Sequence, residues 1–328
     1  MPATADEILA DEARWRTKAG AAGIGAGAVT MAAGIAGALV YSKVPSVALI
    51  DALRERLSAN PPAVPLKVQQ ALYYDKHGFE FVLVAILLAL TAAGMGLTLA
   101  YHYRATKARR PELPRAAIVA TIAGAVLVGV GELVLPISVV VQAHALAGTA
   151  HPTVDAARDA LLPPAGVIGG LMRQLGVFGL GAGFIMITFN AMRVGLLTRF
   201  MGVLGIIVGG LTIVPLGASL PIVQAFWLAG VGALFLGHWP PGRPPAWVTG
   251  EPQPWPTQQE IREQRMALKA ERAGKSPEPP VRKARPEPPE APVRKARPEP
   301  PETPAPLAPL APDRPAHSSS KKRKRKRH

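Results

Sequence analysis

The stretch FEFVLVAILLALTAAGMGLTLAYHY, residues 79–103, runs 25 positions with a single carboxylate, Glu80, and no Lys or Arg. Hydrocarbon cannot hydrogen-bond a peptide group, so about 20 apolar residues cross a bilayer only as a helix that satisfies its own backbone. This stretch reads as a membrane span, and the chain repeats the pattern on both sides of it. Hydropathy and helix breakers set six spans, at 19–41, 79–103, 116–142, 171–192, 200–218 and 222–238. The expected fold is all-α, a polytopic transmembrane helical bundle of about six spans. Only Ser219-Leu220-Pro221 separates the fifth span from the sixth, so a re-entrant pair is the alternative there.

Outward from the spans, four regions follow. Residues 1–18 form a cytoplasmic N-terminal segment, 19–238 the membrane domain, 239–274 a juxtamembrane collar with a short charged helix, and 275–328 a disordered proline-rich basic tail. The formal charge of +15 is uneven: from Trp239 onward the chain carries 20 Lys/Arg against 10 Asp/Glu. With no cysteine, disulfides, thiolate metal sites and cysteine nucleophiles are excluded. Asp6, Glu7, Asp11 and Glu12 before the first span argue against a cleaved signal peptide, whose leading region is short and basic.

Orientation follows from cations in short loops. Arg104, Lys107, Arg109, Arg110 and Arg115 crowd one loop, which is expected in the cytoplasm with Arg193, Arg199, the tail and both termini. The composition is rich in Gly, Ala, Pro and Arg, which resembles coding from a GC-rich bacterial genome, so the location expected is a bacterial cytoplasmic membrane. The two long outer loops carry amphipathic patterns. Ser46 to Ala59 places Ile50, Leu53 and Leu57 at helical spacing, Pro65 to His77 sets Val68 and Leu72 on one side, and Pro152 to Leu162 offers a third short helix. Tyr73 and Tyr74 are placed to sit among head groups.

Inside the spans chemistry is sparse. Glu132 is the only acidic residue well within one, and a carboxylate at that depth needs a cation, a proton or water. Its expected partner is Arg173, which opens the next span from the same side, with Gln142 and Gln174 nearby. Three readings stand: a buried pair that locks the third span to the fourth, a proton or cation relay, or a span that ends early and leaves Glu132 at the interface. Gly23 with Gly27, Gly179 with Gly183, and Gly205 with Gly209 fit the small-xxx-small pattern of closely packed membrane helices, within the bundle or in a homo-oligomer. Nucleotide, zinc-protease and serine-hydrolase signatures do not occur, and the spacing of His77, His144 and His151 matches no metal-ligand pattern. No catalytic residue, cofactor or metal ligand is assigned.

After the last span, Trp239, Trp247 and Trp255 sit in a proline-rich segment expected to lie at head-group level. This segment, with Asn190-Ala-Met-Arg-Val-Gly-Leu-Leu-Thr-Arg-Phe200, resembles a family of uncharacterised multi-pass membrane proteins from high-GC actinobacteria. The resemblance covers roughly the last three spans and the collar, and implies no activity. Thr257-Gln-Gln-Glu260 opens the charged helix as a capping box. Residues 280–291 repeat as 292–303 with one change, a composition that favours an extended polyproline spacer. At the end stand Lys321, Lys322, Arg323, Lys324, Arg325, Lys326 and Arg327, an arm suited to anionic lipid head groups or to nucleic acid.

Three functions are open on these grounds. The first is a non-enzymatic membrane anchor or organising module with a basic cytoplasmic arm. The second is a small-molecule or proton-coupled transporter using Glu132 and Arg173. The third is a membrane enzyme.

Overall fold

The computed structural model describes residues 4–45, 57, 64–214, 221–240, 242–256 and 258–272. Among them every regular element is a helix. The chain divides after Met266 into two units; the first holds the bundle, and of the second only the end of the helix Gln258–Arg272 is described.

Helix α1 (Ala5–Tyr41) runs 37 residues without interruption. It starts well before the predicted span because Thr4 and Glu7 form a capping box, with Glu7 N–H donating to Thr4 Oγ1 at 3.4 Å and Thr4 N–H to Glu7 Oε2 at 2.8 Å. The boundary expected at residue 18 is no break in the backbone, and Arg14, Arg16 and Lys18 stand on the same helix as Gly23 and Gly27. Next come α2 (Leu66–Lys76), α3 (Gly78–Arg109), α4 (Arg115–Ala147), α5 (Val154–Leu161) and α6 (Pro164–Arg193).

Four segments among the described residues are long and apolar enough to cross a membrane: α1, α3, α4 and Val154–Arg193, the stretch that contains α6. The predicted fifth and sixth spans are α7 (Arg199–Ile213) and α8 (Ile222–Leu236), of 15 residues each. At about 1.5 Å per residue each reaches about 22 Å, short of the roughly 30 Å of hydrocarbon. They run antiparallel: Trp227 Nε1 donates to Met201 O at 2.9 Å, and Gln224 Nε2 to Thr212 Oγ1 at 3.4 Å. Residues 215–220 of their connection lie outside the described residues. The collar then forms the single turn α9 (Ala246–Thr249), and the charged helix is α10 (Gln258–Arg272), its predicted cap Thr257 also lying outside.

Small residues decide which helices touch. A Cβ on Gly23 would stand 2.9 Å from Gly232 Cα, and one on Gly131 2.5 Å from Gly169 O, so α1 meets α8 and α4 meets α6 backbone to backbone. Lipid tails are as apolar as leucine, so close van der Waals approach takes the place that hydrophobic burial has in water. The glycine pairs singled out in the sequence all face helices of the same chain: Gly23 and Gly27 face α8, Gly179 and Gly183 face α4, and Gly205 and Gly209 face α6. Five threonines inside the helices satisfy themselves, whereas the buried Thr91 hydroxyl has no partner among the described residues. Thr30, Thr98, Thr106, Thr121 and Thr188 each donate to the carbonyl four residues earlier at 2.7 to 2.8 Å, which removes the need for water.

At the end where α1 stops, α2 and α5 cap the bundle through Val68, Ala71, Ala157 and Ala160, packed with Leu146 of α4. Tyr73 and Tyr74, expected among head groups, are both half-buried. Tyr73 stacks on His77 at 4.3 Å and Tyr74 on Phe81 at 4.3 Å, where α2 turns directly into α3 at His77. Burial there raises the Tyr74 phenol above its ordinary pKa. The helix expected over Ser46 to Ala59 lies outside the described residues, apart from Leu57.

Candidate functional site

The structure brings Glu132 and Arg173 together. Arg173 Nε donates to Glu132 Oε1 at 2.6 Å, near the middle of α4 and in the third turn of α6. The Gly131–Gly169 approach produces the pairing, since it places Glu132 on the turn that faces Arg173. The carboxylate is 18 % exposed and the guanidinium side chain 46 %, so the pair sits at the edge of the helix seam. Pro136 lies within α4 and has no N–H for the Glu132 carbonyl, although the helix continues unbroken. Gln142 and Gln174 do not join the pair. Gln142 lies nearly three turns along α4, Gln174 points away from the seam, and both are exposed without a hydrogen bond among the described residues.

A second polar centre, which sequence reasoning missed, closes the opposite end of the bundle. Arg109, the last residue of α3, is fully buried, and its two terminal nitrogens grip the Glu12 carboxylate of α1: Nη1 bonds Oε1, and Nη2 bonds Oε2 at 3.1 Å. Nη2 also donates to Ala246 O at 2.7 Å and Nη1 to Ala105 O at 3.1 Å, with the guanidinium 5.6 Å from the Trp247 ring centre. One arginine thus joins α1, α3 and the collar. A planar fork suits this task, because it offers parallel bonds to a carboxylate and keeps donors for carbonyls. Neighbouring contacts repeat the pattern. Arg104 donates to Asp11 at 3.1 Å, Arg110 to Asn190 Oδ1 at 2.8 Å, and Tyr101 Oη to Glu12 O at 3.2 Å.

The collar tryptophans are anchors. Trp247 Nε1 donates to Leu196 O at 2.8 Å and Trp255 Nε1 to Leu197 O at 2.7 Å, while Gln253 N–H donates to Val194 O at 3.0 Å. Together they strap residues 246–255 across the α6–α7 turn. That turn can accept them because Gly195 takes a φ of +77°, and a Cβ there would meet Gln253 O at 2.0 Å. Trp247 is buried and packs with Tyr101, Phe235 and His102. His102 is buried among these rings and Trp227, and neither ring nitrogen has a hydrogen-bond partner among the described residues.

Sequence clues to this end existed. The sequence holds four carboxylates at residues 6–12 and five cations at residues 104–115, but nothing in it pairs the two groups. On the other face, His77 meets Glu80 at 3.2 Å and His144 meets Asp75 at 2.8 Å, while His151 is exposed. The basic arm, residues 321–327, lies outside the described residues. Compared with family models, with curated proteins and with solved structures, the chain matches none.

Proposed function

We propose that this integral membrane protein is a non-enzymatic anchor whose bundle fixes the root of a basic arm at the cytoplasmic face of a bacterial membrane. One observation carries the reading: the collar after the last apolar helix is bound into the bundle. Arg109 holds Ala246 O, and the indoles of Trp247 and Trp255 hold Leu196 O and Leu197 O. A tail that merely trailed from the membrane gains nothing from such a root, whereas an arm that works at a set distance from the bilayer does. Gly250 also lies against Ala5, so both ends of the described bundle share one side, the side of the cation-rich loop.

The test uses the intact chain in neutral-lipid nanodiscs, with anionic vesicles or a short RNA duplex as added targets. Salt-sensitive capture is expected, and it should disappear when residues 321–327 are all changed to serine while the bundle stays folded. Equal capture by both proteins, or none by the intact chain at low salt, would remove the arm from the proposal.

A further inference from the structure

A crevice independent of the basic arm lies between α1 and α3. These helices touch where a Cβ on Gly94 would stand 2.5 Å from Ala26 Cβ. Between that contact and the Arg109–Glu12 pair, the crevice, of about 280 Å³, opens on the surface between the two helices. Its lower walls are apolar, with Ala22 on α1 and Leu97 on α3; Tyr101 forms the back. Its mouth is cationic: Lys18 Nζ and Arg104 Cζ lie 5.3 Å and 5.7 Å from the centre of the same Trp15 ring. Lys18 has no carboxylate partner among the described residues, and Arg104 gives a single N–H to Asp11. Since a guanidinium carries five N–H donors, four remain.

We propose that this crevice is a binding site for one anionic phospholipid of the leaflet on that side. The pattern suits no simpler occupant. Leu97 lies two turns below Arg104, about 10 Å deeper by helical rise, so an occupant must be charged at one end and hydrocarbon at the other. Lys18 and the free Arg104 donors take the phosphate, Trp15 sits at glycerol level as interfacial tryptophans do, and one acyl chain follows the Ala22–Leu97 walls to the Gly94–Ala26 contact. Asp11 is the one carboxylate bonded to these cations; it orients Arg104 and leaves the pair of cations in excess. The site does not depend on the basic arm.

The experiment reconstitutes the intact chain in phosphatidylcholine vesicles holding a small fraction of phosphatidylglycerol with brominated acyl chains. Bromine quenches nearby indoles, and the Trp15 share is isolated by difference against Trp15→Phe. Brominated phosphatidylglycerol should quench Trp15 more strongly than brominated phosphatidylcholine at the same mole fraction. That preference should drop roughly fivefold in Lys18→Gln and again in Arg104→Gln, the effect expected of one cation near an anionic head group. If Arg104→Gln fails to fold, Lys18→Gln alone decides, since Lys18 touches only the Trp15 ring among the interactions described. The preference should survive serine at residues 321–327 and excess inorganic phosphate. Equal quenching by the two lipids, loss of the preference with the serine tail, or displacement by free phosphate would each overturn the site.

Discussion

Arg109 and Glu12 stand 97 residues apart in the chain, yet form a two-pronged ion pair with the guanidinium wholly buried. Removing one partner strands the other charge. Arg109→Ala or Glu12→Ala should each destabilise the bundle by about 3–5 kcal/mol, whereas replacing both by Met and Leu should recover much of the loss. Thermal unfolding in mild detergent reads the difference. Additive single effects would show that the two residues do not act as a pair.

Trp247→Phe keeps a ring against Tyr101 and Phe235 but removes the N–H that reaches Leu196 O. The expected loss is about 1 kcal/mol in global stability. The more telling measurement is limited proteolysis after residue 249, which should accelerate, because the strap then rests on Gln253 and Trp255. Unchanged cleavage would mean that the indole bond does not hold the collar.

At the other polar centre, Glu132→Gln should preserve most of the fold, since a neutral amide still accepts from Arg173 Nε. Arg173→Ala leaves a carboxylate within the apolar seam and should lower stability more, unless the acid takes up a proton. Exchanging the two charges in one double variant should restore part of the loss. Additive single effects in detergent melting would break the pairing.

Glycines divide sharply. Gly131→Ala and Gly23→Ala place a methyl 2.5 Å and 2.9 Å from facing backbone, so each should cost about 1–3 kcal/mol as the helices separate. A Cβ on Gly25 or Gly210 meets nothing within 4 Å. Alanine there should stabilise by about 0.5–1 kcal/mol through higher helix propensity. Melting of the four variants side by side checks the sign of each.

Reporter fusions test the orientation. Fusions after Lys107 and after Arg262 should report cytoplasm, and one at Pro152 the outside. A cytoplasmic signal at Pro152 would reverse the assignment.

The apolar runs made α3, α4 and most of α6 legible, because in lipid a long apolar run has no other solution than a helix. Short α2 and α5 were legible from their apolar spacing. What stayed hidden was tertiary. A topology rule counts Arg109 as a solvated loop cation, and nothing local reveals that its carboxylate lies at Glu12. Head-group preference suggests a level for Trp247 but not its partner, and the indole N–H is satisfied by a backbone carbonyl in a turn. Of the span expected at 200–218, α7 covers the part up to Ile213, and residues 215–218 lie outside the described residues.

The first helix lies along the last apolar one, with Gly23 seated on Gly232. Between the end of α1 and the end of α8 the ribosome must add about 195 residues, on the order of 10 to 40 s at ~5–20 residues per second. For that interval the small-residue stripe of α1 waits in the bilayer without its mate, while α4 and α6, neighbours in the chain, can close as they emerge. The α1–α8 seam therefore closes only after α8 emerges, with the collar still to follow, and any delay in synthesis before residue 236 prolongs the time in which a nascent α1 is open to the wrong helix.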